Sequence, residues 1–231
     1  MNWSWIRSLF SKKRKAETES TSKSPSTRVR RQLPTPERIG ELGEHTVNLQ
    51  LAQFPRDYRS ISDVLIVNPA SKTRYAQLDH ILVTPYGIFV IETKNYKGRI
   101  RGTRDGLHWY VNGTFKLYNP LKQNATHINS LRKALSLHEK VPFISIVCFT
   151  MRAQLDVDES IRLVTSDALV VYDVRLTDAI ERKLIRLKHE QPEPLLSQVD
   201  VAAIAERIEA FNIRDPAIRE EHRRSIQAAR D

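Results

Sequence analysis

Residues 77–94, running from Gln77-Leu78-Asp79-His80 to Ile91-Glu92-Thr93-Lys94, constrain the fold more than any other stretch of the chain. Two runs of β-branched and aromatic residues flank Pro85-Tyr86-Gly87, a turn signal that predicts a hairpin. Pairing Val83 with Ile88 sets Ile81 opposite Val90 and Asp79 opposite Glu92. Side chains alternate faces along a strand, so Asp79, Glu92 and Lys94 then share a face with Ile81, Val83, Ile88 and Val90. Directly opposed residues have Cβ atoms about 4.5–5.5 Å apart, and two carboxylates that close repel unless a cation lies between them. A merely structural hairpin does not ask for such a pair.

Length and composition allow one sizeable core in 231 residues. No apolar run approaches the roughly 18–20 residues a membrane span needs. Cys148 is the single cysteine, which excludes an intramolecular disulfide and a Cys-based zinc site and suits a reducing, cytoplasmic compartment. The formal charge of +10 is unevenly spread: residues 1–36 hold nine Lys/Arg against two Glu. The remainder is close to neutral, so net charge is weak support for a nucleic-acid groove.

Residues 1–34 form a basic arm with an aromatic start, Met1 to Phe10, followed by a Ser/Thr/Lys/Arg-rich stretch that reads as disordered. The two tryptophans and Lys12-Lys13-Arg14-Lys15 would suit peripheral contact of residues 1–15 with the inner, anionic face of a membrane; a free or partner-docked tail is the plainer reading. The segment is too short for a secretory signal with a cleavage site. Thr35-Pro36-Glu37 signals a helix start, with Ile39, Leu42, Val47 and Leu49 at helical spacing. Gly40 and Gly43 lie inside that helix, where close approach to a sheet would justify them, and Glu44 follows them. Strands are predicted at 61–67 and in the hairpin, then as short pieces around the Asp105-Gly106 and Asn112-Gly113 turns, with one of Trp109 and Tyr110 inward and the other outward. A helix over 121–139 with Ile128, Leu131, Leu135 and His138 on its apolar face is followed by a buried strand within 141–150. Strand-like pieces at 161–165 and 169–174 and helices at 177–190 and 198–212 complete the core, with 215–231 as a polar, frayed tail. The expected organisation is a domain core over 35–150, with 151–214 completing it: a mixed α/β sheet with helices on its faces.

The acidic pair followed by Glu-x-Lys has a definite chemistry. Two carboxylates suit a hard divalent cation such as Mg²⁺, which can polarise a phosphoryl oxygen and lower the pKa of a bound water. A lysine two residues on lies on the same face, about 6.5–7 Å along the strand. It can orient or help deprotonate the attacking water and offset charge on the phosphate.

Gly40-Glu41-Leu42-Gly43-Glu44, Gln77-Leu78-Asp79-His80, Gly87 to Tyr96 with Glu92-Thr93-Lys94, Trp109 and Asn119-Pro120-Leu121-Lys122-Gln123 together resemble the nuclease-related domain (NERD) family. That family is placed in the PD-(D/E)xK restriction-endonuclease-like superfamily. The resemblance covers roughly residues 37–150, and the ordered set of motifs is much more specific than Glu-x-Lys alone. It implies an αβββαβ core with helices on both faces, extended here by C-terminal helices, and a Mg²⁺- or Mn²⁺-dependent phosphodiesterase site. By position, Asp79, Glu92 and Lys94 match the two acids and the lysine. Glu44 matches the first-helix glutamate that completes the metal set, and Gln123 the polar residue of the following helix. Leu78 stands where the superfamily name has proline.

Weaker candidates surround this set. Gln77 shares the Asp79 face, while Tyr96 and Lys97 could touch a nucleic-acid backbone or be plain loop residues. Arg99, Arg101 and Arg104 could hold phosphates or line a solvated strand edge. His80 is expected to face away from Asp79 in a structural role, with ligand or substrate contact as the alternative; His45 and His127 could support the site from behind its ligands, with the helix surface as the plainer reading. Three readings follow: a metal-dependent nuclease acting on DNA, with RNA the alternative polymer; a non-catalytic nucleic-acid or protein-interaction module on the same fold; and a membrane-associated adaptor.

Overall fold

The computed structural model describes residues 36–137 and 140–228; the N-terminal arm, the Thr35 cap and His138 lie outside them. Helix α1 runs Pro36–Leu51 and is followed by strands β1 (Arg59–Val67), β2 (Tyr75–Thr84) and β3 (Gly87–Lys94). Strands β4 (Gly98–Gly102), β5 (His108–Val111) and β6 (Phe115–Tyr118) lead to helix α2 (Pro120–Leu135). Strands β7 (Phe143–Phe149), β8 (Ala153–Val157) and β9 (Ala168–Tyr172) then precede helices α3 (Leu176–Glu190), α4 (Gln198–Phe211) and α5 (Pro216–Ala228).

Two sheets result. The larger has the order β1-β2-β3-β7-β9, antiparallel through β3 and parallel from β3 to β9. Its parallel strand β7 is apolar at every position but Ser145 because helices cover both faces. On one face Ile81, Val83, Ile88 and Val90 pack against Ile128, Leu131 and Leu135 of α2 and Val201, Ile204 and Ile208 of α4. On the other, Leu82, Phe89, Ile91 and Ile146 meet Val47 and Leu51 of α1 and Leu176, Ile180 and Leu184 of α3. This is the mixed sheet with helices on its faces that the element order predicts, and it agrees with the restriction-endonuclease-like architecture that the family resemblance implies.

The smaller sheet, β6-β5-β4-β8, closes over the end of the first. Its inward side chains Ile100, Trp109, Val111 and Leu117 pack on Leu121, Val147 and Phe149. The Trp109 and Phe149 rings stack with centroids 6.1 Å apart, while Tyr110 points outward as the alternation requires. Asn112 and Gly113 both have positive φ, the pairing that a two-residue hairpin turn needs.

Glycine earns its place unevenly. A Cβ at Gly43 would lie 3.3 Å from Asn95 Nδ2 and 3.4 Å from Thr150 Cγ2, so this residue does let α1 approach the ends of β3 and β7. Gly40 has nothing within 4 Å, and the close-approach explanation fails there. At Gly102 a Cβ would lie 2.2 Å from the Trp109 ring, which covers the bare backbone.

Three expectations are corrected. The strand expected at 161–165 is a single 3-10 turn, Glu159–Arg162, and the strand in that region is β8. Ala153, Leu155 and Val157 alternate there with Gln154 and Asp156, a short period-2 pattern. The helix expected to reach 139 stops at Leu135, where Ser136 turns left-handed and its N–H bonds back to Arg132 O. Residues 216–228 are a helix, not a frayed tail. Asp215 Oδ1 accepts from Ala217 N at 2.8 Å, Pro216 opens the first turn, and Arg219 and the buried His222 fasten the helix to β1 and to the Tyr75 ring.

Gly102→Ala should lower stability by about 1–3 kcal/mol, the usual cost of overpacking. Urea unfolding followed by Trp109 fluorescence measures it, and an unchanged midpoint would remove the ring-over-glycine argument.

Candidate active site

The site forms where β2 and β3 part. Their ladder runs from Thr84–Gly87 through Val83–Ile88 and Ile81–Val90 to His80–Ile91 and ends there. The next expected pair, Asp79 with Glu92, is not a ladder pair. Instead, Asp79 Oδ2 accepts the backbone N–H of Thr93 at 2.7 Å, so the carboxylate enters the gap between the diverging strands.

Strand β1 bends at the same level. Its pairing with β2 skips Asp63 and Asp79, and Asp63 has a left-handed backbone with φ 53°. Aspartate tolerates that conformation better than most residues. Leu78 and Ile81 both join the α2/α4 core, as do Ile61 and Val64, so the side-chain alternation of both strands shifts by one across this point. The expectation that Asp79 shares the face of Ile81 and Val83 by simple alternation is corrected accordingly. Asp63 O and Oδ2 accept from Arg219 of α5 at 2.8 and 2.7 Å, and Oδ1 accepts from Gln77 Nε2 at 2.9 Å.

Glu92, buried at 3% exposure, is the hub. Its Oε1 accepts from Lys94 Nζ at 2.6 Å and from Gln123 Nε2 at 2.7 Å, and Lys94 also donates to Gln123 Oε1 at 3.1 Å. The other oxygen, Oε2, lies 3.2 Å from His127 Nδ1, within ion-pair distance but with no hydrogen bond formed to either atom. Of the two helix histidines, His127 is thus buried against the site in the supporting position that is its alternative, whereas His45 is exposed as the plainer reading has it. The signal that separates them is positional: His127 stands four residues after Gln123, hence on the same side of α2.

The Asn119-Pro120 step explains how Gln123 reaches Glu92. Asn119 Oδ1 caps α2 by accepting from Leu121 N at 2.9 Å, and its amide donates to Arg104 O at 3.0 Å and Gly106 O at 2.6 Å. Asn124, also buried, donates to Val90 O and Ser145 Oγ, both at 2.9 Å, and pins α2 across β3 and β7.

Electrostatics follow from burial. Burial first, then the Glu92 charge, pushes the Asp79 carboxyl well above its ordinary range, and Lys94 and the Thr93 N–H offset this only in part. Burial acts on Glu92 in the same direction, but Lys94 and His127 together outweigh it and hold Glu92 well below the usual carboxylate range. Burial would strip the Lys94 proton, yet Glu92 and Asp79 prevail and raise Lys94 above its ordinary value. Glu44, half-buried on α1, is raised by burial and by the charges of Asp63 and Glu92.

The other candidates lie further out. Tyr96 packs against Phe115 with ring centroids 6.0 Å apart, and Lys97 is exposed. Arg99 and Arg101 share Asp156, and Arg104 pairs with Asp167, so each of these arginines already has an anion. Among the described residues, no three His, Cys, Asp or Glu side chains converge closely enough to enclose a metal ion, and no helix is long and apolar enough to cross a membrane. The donor set fits a cation held by Asp79 and Glu92 that keeps much of its shell as water or substrate oxygen, as Mg²⁺ commonly does. It does not form a closed protein cage.

A mixed sheet whose diverging strands carry Asp79, Glu92 and Lys94 is consistent with the restriction-endonuclease-like fold. Residues 39–150 match the family model for the nuclease-related domain, and this segment of the chain is a nuclease-related domain. An uncharacterized protein of Bacillus anthracis is 31% identical over 121 residues, covering 50% of this chain and 55% of that relative. The match thus spans about half of each protein. No solved structure matches the chain.

His80 supplies a pH test beside the site. Its ring is fully buried, with Nδ1 3.0 Å from Asn48 Oδ1 and 3.1 Å from Ser62 Oγ, and burial lowers its pKa from 6.5 to about 4. The unfolded chain therefore binds this proton more readily than the folded one. Stability should fall as pH drops from about 6.5 towards 4, by up to about 3 kcal/mol. Urea unfolding across that range should show a shallower fall for His80→Gln than for wild type; parallel curves would clear His80 of the effect.

Proposed function

We propose that the chain is a Mg²⁺- or Mn²⁺-dependent nuclease that hydrolyses phosphodiester bonds in DNA. The observation that carries this reading is the buried Glu92–Lys94–Gln123 network beside Asp79, in which the one lysine pairs with Glu92 and reaches Asp79 only through its field. The two carboxylates are short of positive charge, and a divalent cation would relieve them while releasing the proton that Asp79 otherwise favours.

Asp79 and Glu92 would hold the ion, with Glu44 approaching from α1. A bound ion there would polarise the phosphoryl oxygen and acidify a water. Lys94 remains a cation in this arrangement, so its role is to orient water and offset charge on the phosphate, with proton abstraction the less suited task. Gln123 fixes the Lys94 ammonium by accepting from it and fixes Glu92 by donating to it. Gln77, Tyr96 and Lys97 are the candidates for contacts with the polymer on either side of the scissile bond. The non-catalytic module retains one observation in its favour, namely that three metal donors do not converge among the described residues.

Cleavage of plasmid and single-stranded DNA should require Mg²⁺ or Mn²⁺, stop with EDTA, and fall at least about 100-fold in Asp79→Asn, the low end for a positioned catalytic group. Asp79→Asn is preferable to Lys94→Ala, because stripping the cation from buried Glu92 would cost about 3–5 kcal/mol of stability and confuse the readout. Equal cleavage by wild type and Asp79→Asn would sink this reading of the site, and metal-indifferent DNA binding without turnover would leave the non-catalytic module standing.

A further inference from the structure

The inner face of the small sheet is closed by Trp109, Leu117 and their partners; its outer face is open and has a distinctive composition. The strand register sets Arg101 beside Tyr110 and Tyr110 beside Lys116, a row across β4, β5 and β6. One step along, His108 pairs with Tyr118, and Arg99 lies two residues from Arg101 on the same face. Tyr110 is 39% exposed and Tyr118 46%, although tyrosine rings on a closed sheet would ordinarily be covered. Opposite these groups the register with β8 places only Gln154 and Asp156, and Asp156 is shared between Arg99 and Arg101. The face therefore carries a surplus of positive charge around two exposed aromatic rings.

We infer that this outer face is a binding platform for single-stranded nucleic acid. Tyr118 lies two residues beyond the cross-strand partner of Tyr110, so the two residues are diagonal neighbours whose backbone positions lie about 7–8 Å apart, a spacing that can offer their rings to successive unstacked bases. Arg101 and Lys116 flank Tyr110 and can meet the phosphates between those bases. A folded protein partner would have little use for cations alternating with rings across a flat sheet, whereas a strand of bases and phosphates alternates in the same way. The platform is tied by short chain segments to the proposed site: β4 begins four residues after Lys94, and β6 ends five residues before Gln123. The inference deepens the nuclease reading by naming unpaired nucleic acid as the polymer form held beside that site, and it rests on that reading only for its purpose.

Binding is measured on the full chain carrying Asp79→Asn, so that cleavage does not enter, by fluorescence anisotropy of a labelled single-stranded 20-mer against the matching duplex. Tyr110→Ala and Tyr118→Ala should each weaken single-strand binding at least about fivefold. Tyr110→Phe should restore it, and duplex affinity should change little. Lys116→Ala should reduce the slope of log K against log salt by about 0.7. Melting temperatures confirm that each variant is folded. Single-strand affinity unmoved in the Tyr110→Ala/Tyr118→Ala double variant would overturn the inference, as would equal losses for strand and duplex. Wild-type failure to cleave with the ring dependence intact would instead fell the nuclease reading alone.

Discussion

The parting of β2 from β3 is the feature on which the rest depends. A hairpin zipped to its end would place Asp79 and Glu92 in direct opposition, with both backbones satisfied by each other. Here the ladder ends at His80–Ile91, and the Asp79 carboxylate takes up the Thr93 N–H that the ladder abandons. A side chain thus replaces a backbone partner, and an acidic group is drawn into the sheet. The same level of β1 accommodates the bend through Asp63, whose left-handed conformation is secured by Arg219 and Gln77. Helix α5 therefore contributes to the shape of the site from the far end of the chain.

Glu92 shows why the surrounding helices matter electrostatically. A carboxylate this deeply buried is costly unless charge and hydrogen bonds meet it. Lys94 supplies the charge from the same strand, Gln123 supplies a second donor to the same oxygen, and His127 lies beside the other. Asp79 has no such retinue beyond one N–H, and its proton is correspondingly hard to remove. The two acids are thereby made unequal by their surroundings, one fixed as an anion and the other responsive to whatever cation arrives.

Much of this was legible in the residues and some was not, for identifiable reasons. The hairpin, its turn and the register from Thr84 to Ile81 follow from alternation alone, because one pairing satisfies both strands. Alternation fails at Asp79 because its period is broken by a residue on another strand, Asp63, whose conformation no local pattern announces. Gln123 follows only from the family resemblance, and the sequence leaves His127 between a supporting and a surface position because a single helix histidine carries no sign of burial. The α5 helix was missed for a different reason. Asp215-Pro216 has the same cap-then-proline grammar as Thr35-Pro36, but the following residues are nearly all polar, and only contact with Asp63 and Tyr75 gives them a reason to fold.

The Asn119-Pro120-Leu121-Lys122-Gln123 segment joins these two parts of the molecule. Asn119 clamps the loop between β4 and β5 with its amide and starts α2 with its carbonyl, so one buried side chain sets both the small sheet and the helix that carries Gln123. Any shift of the small sheet against α2 would have to break that clamp or displace Gln123 from Glu92 and Lys94. A polymer resting on the sheet would consequently be held in fixed relation to the acids, with no flexible linker between the two. The strong formal charge of the chain does not provide this relation, since most of it lies before residue 37 and Arg99, Arg101 and Arg104 are already paired. What fixes the small sheet against the acids is geometry built from the neutral amides of Asn119 and Gln123.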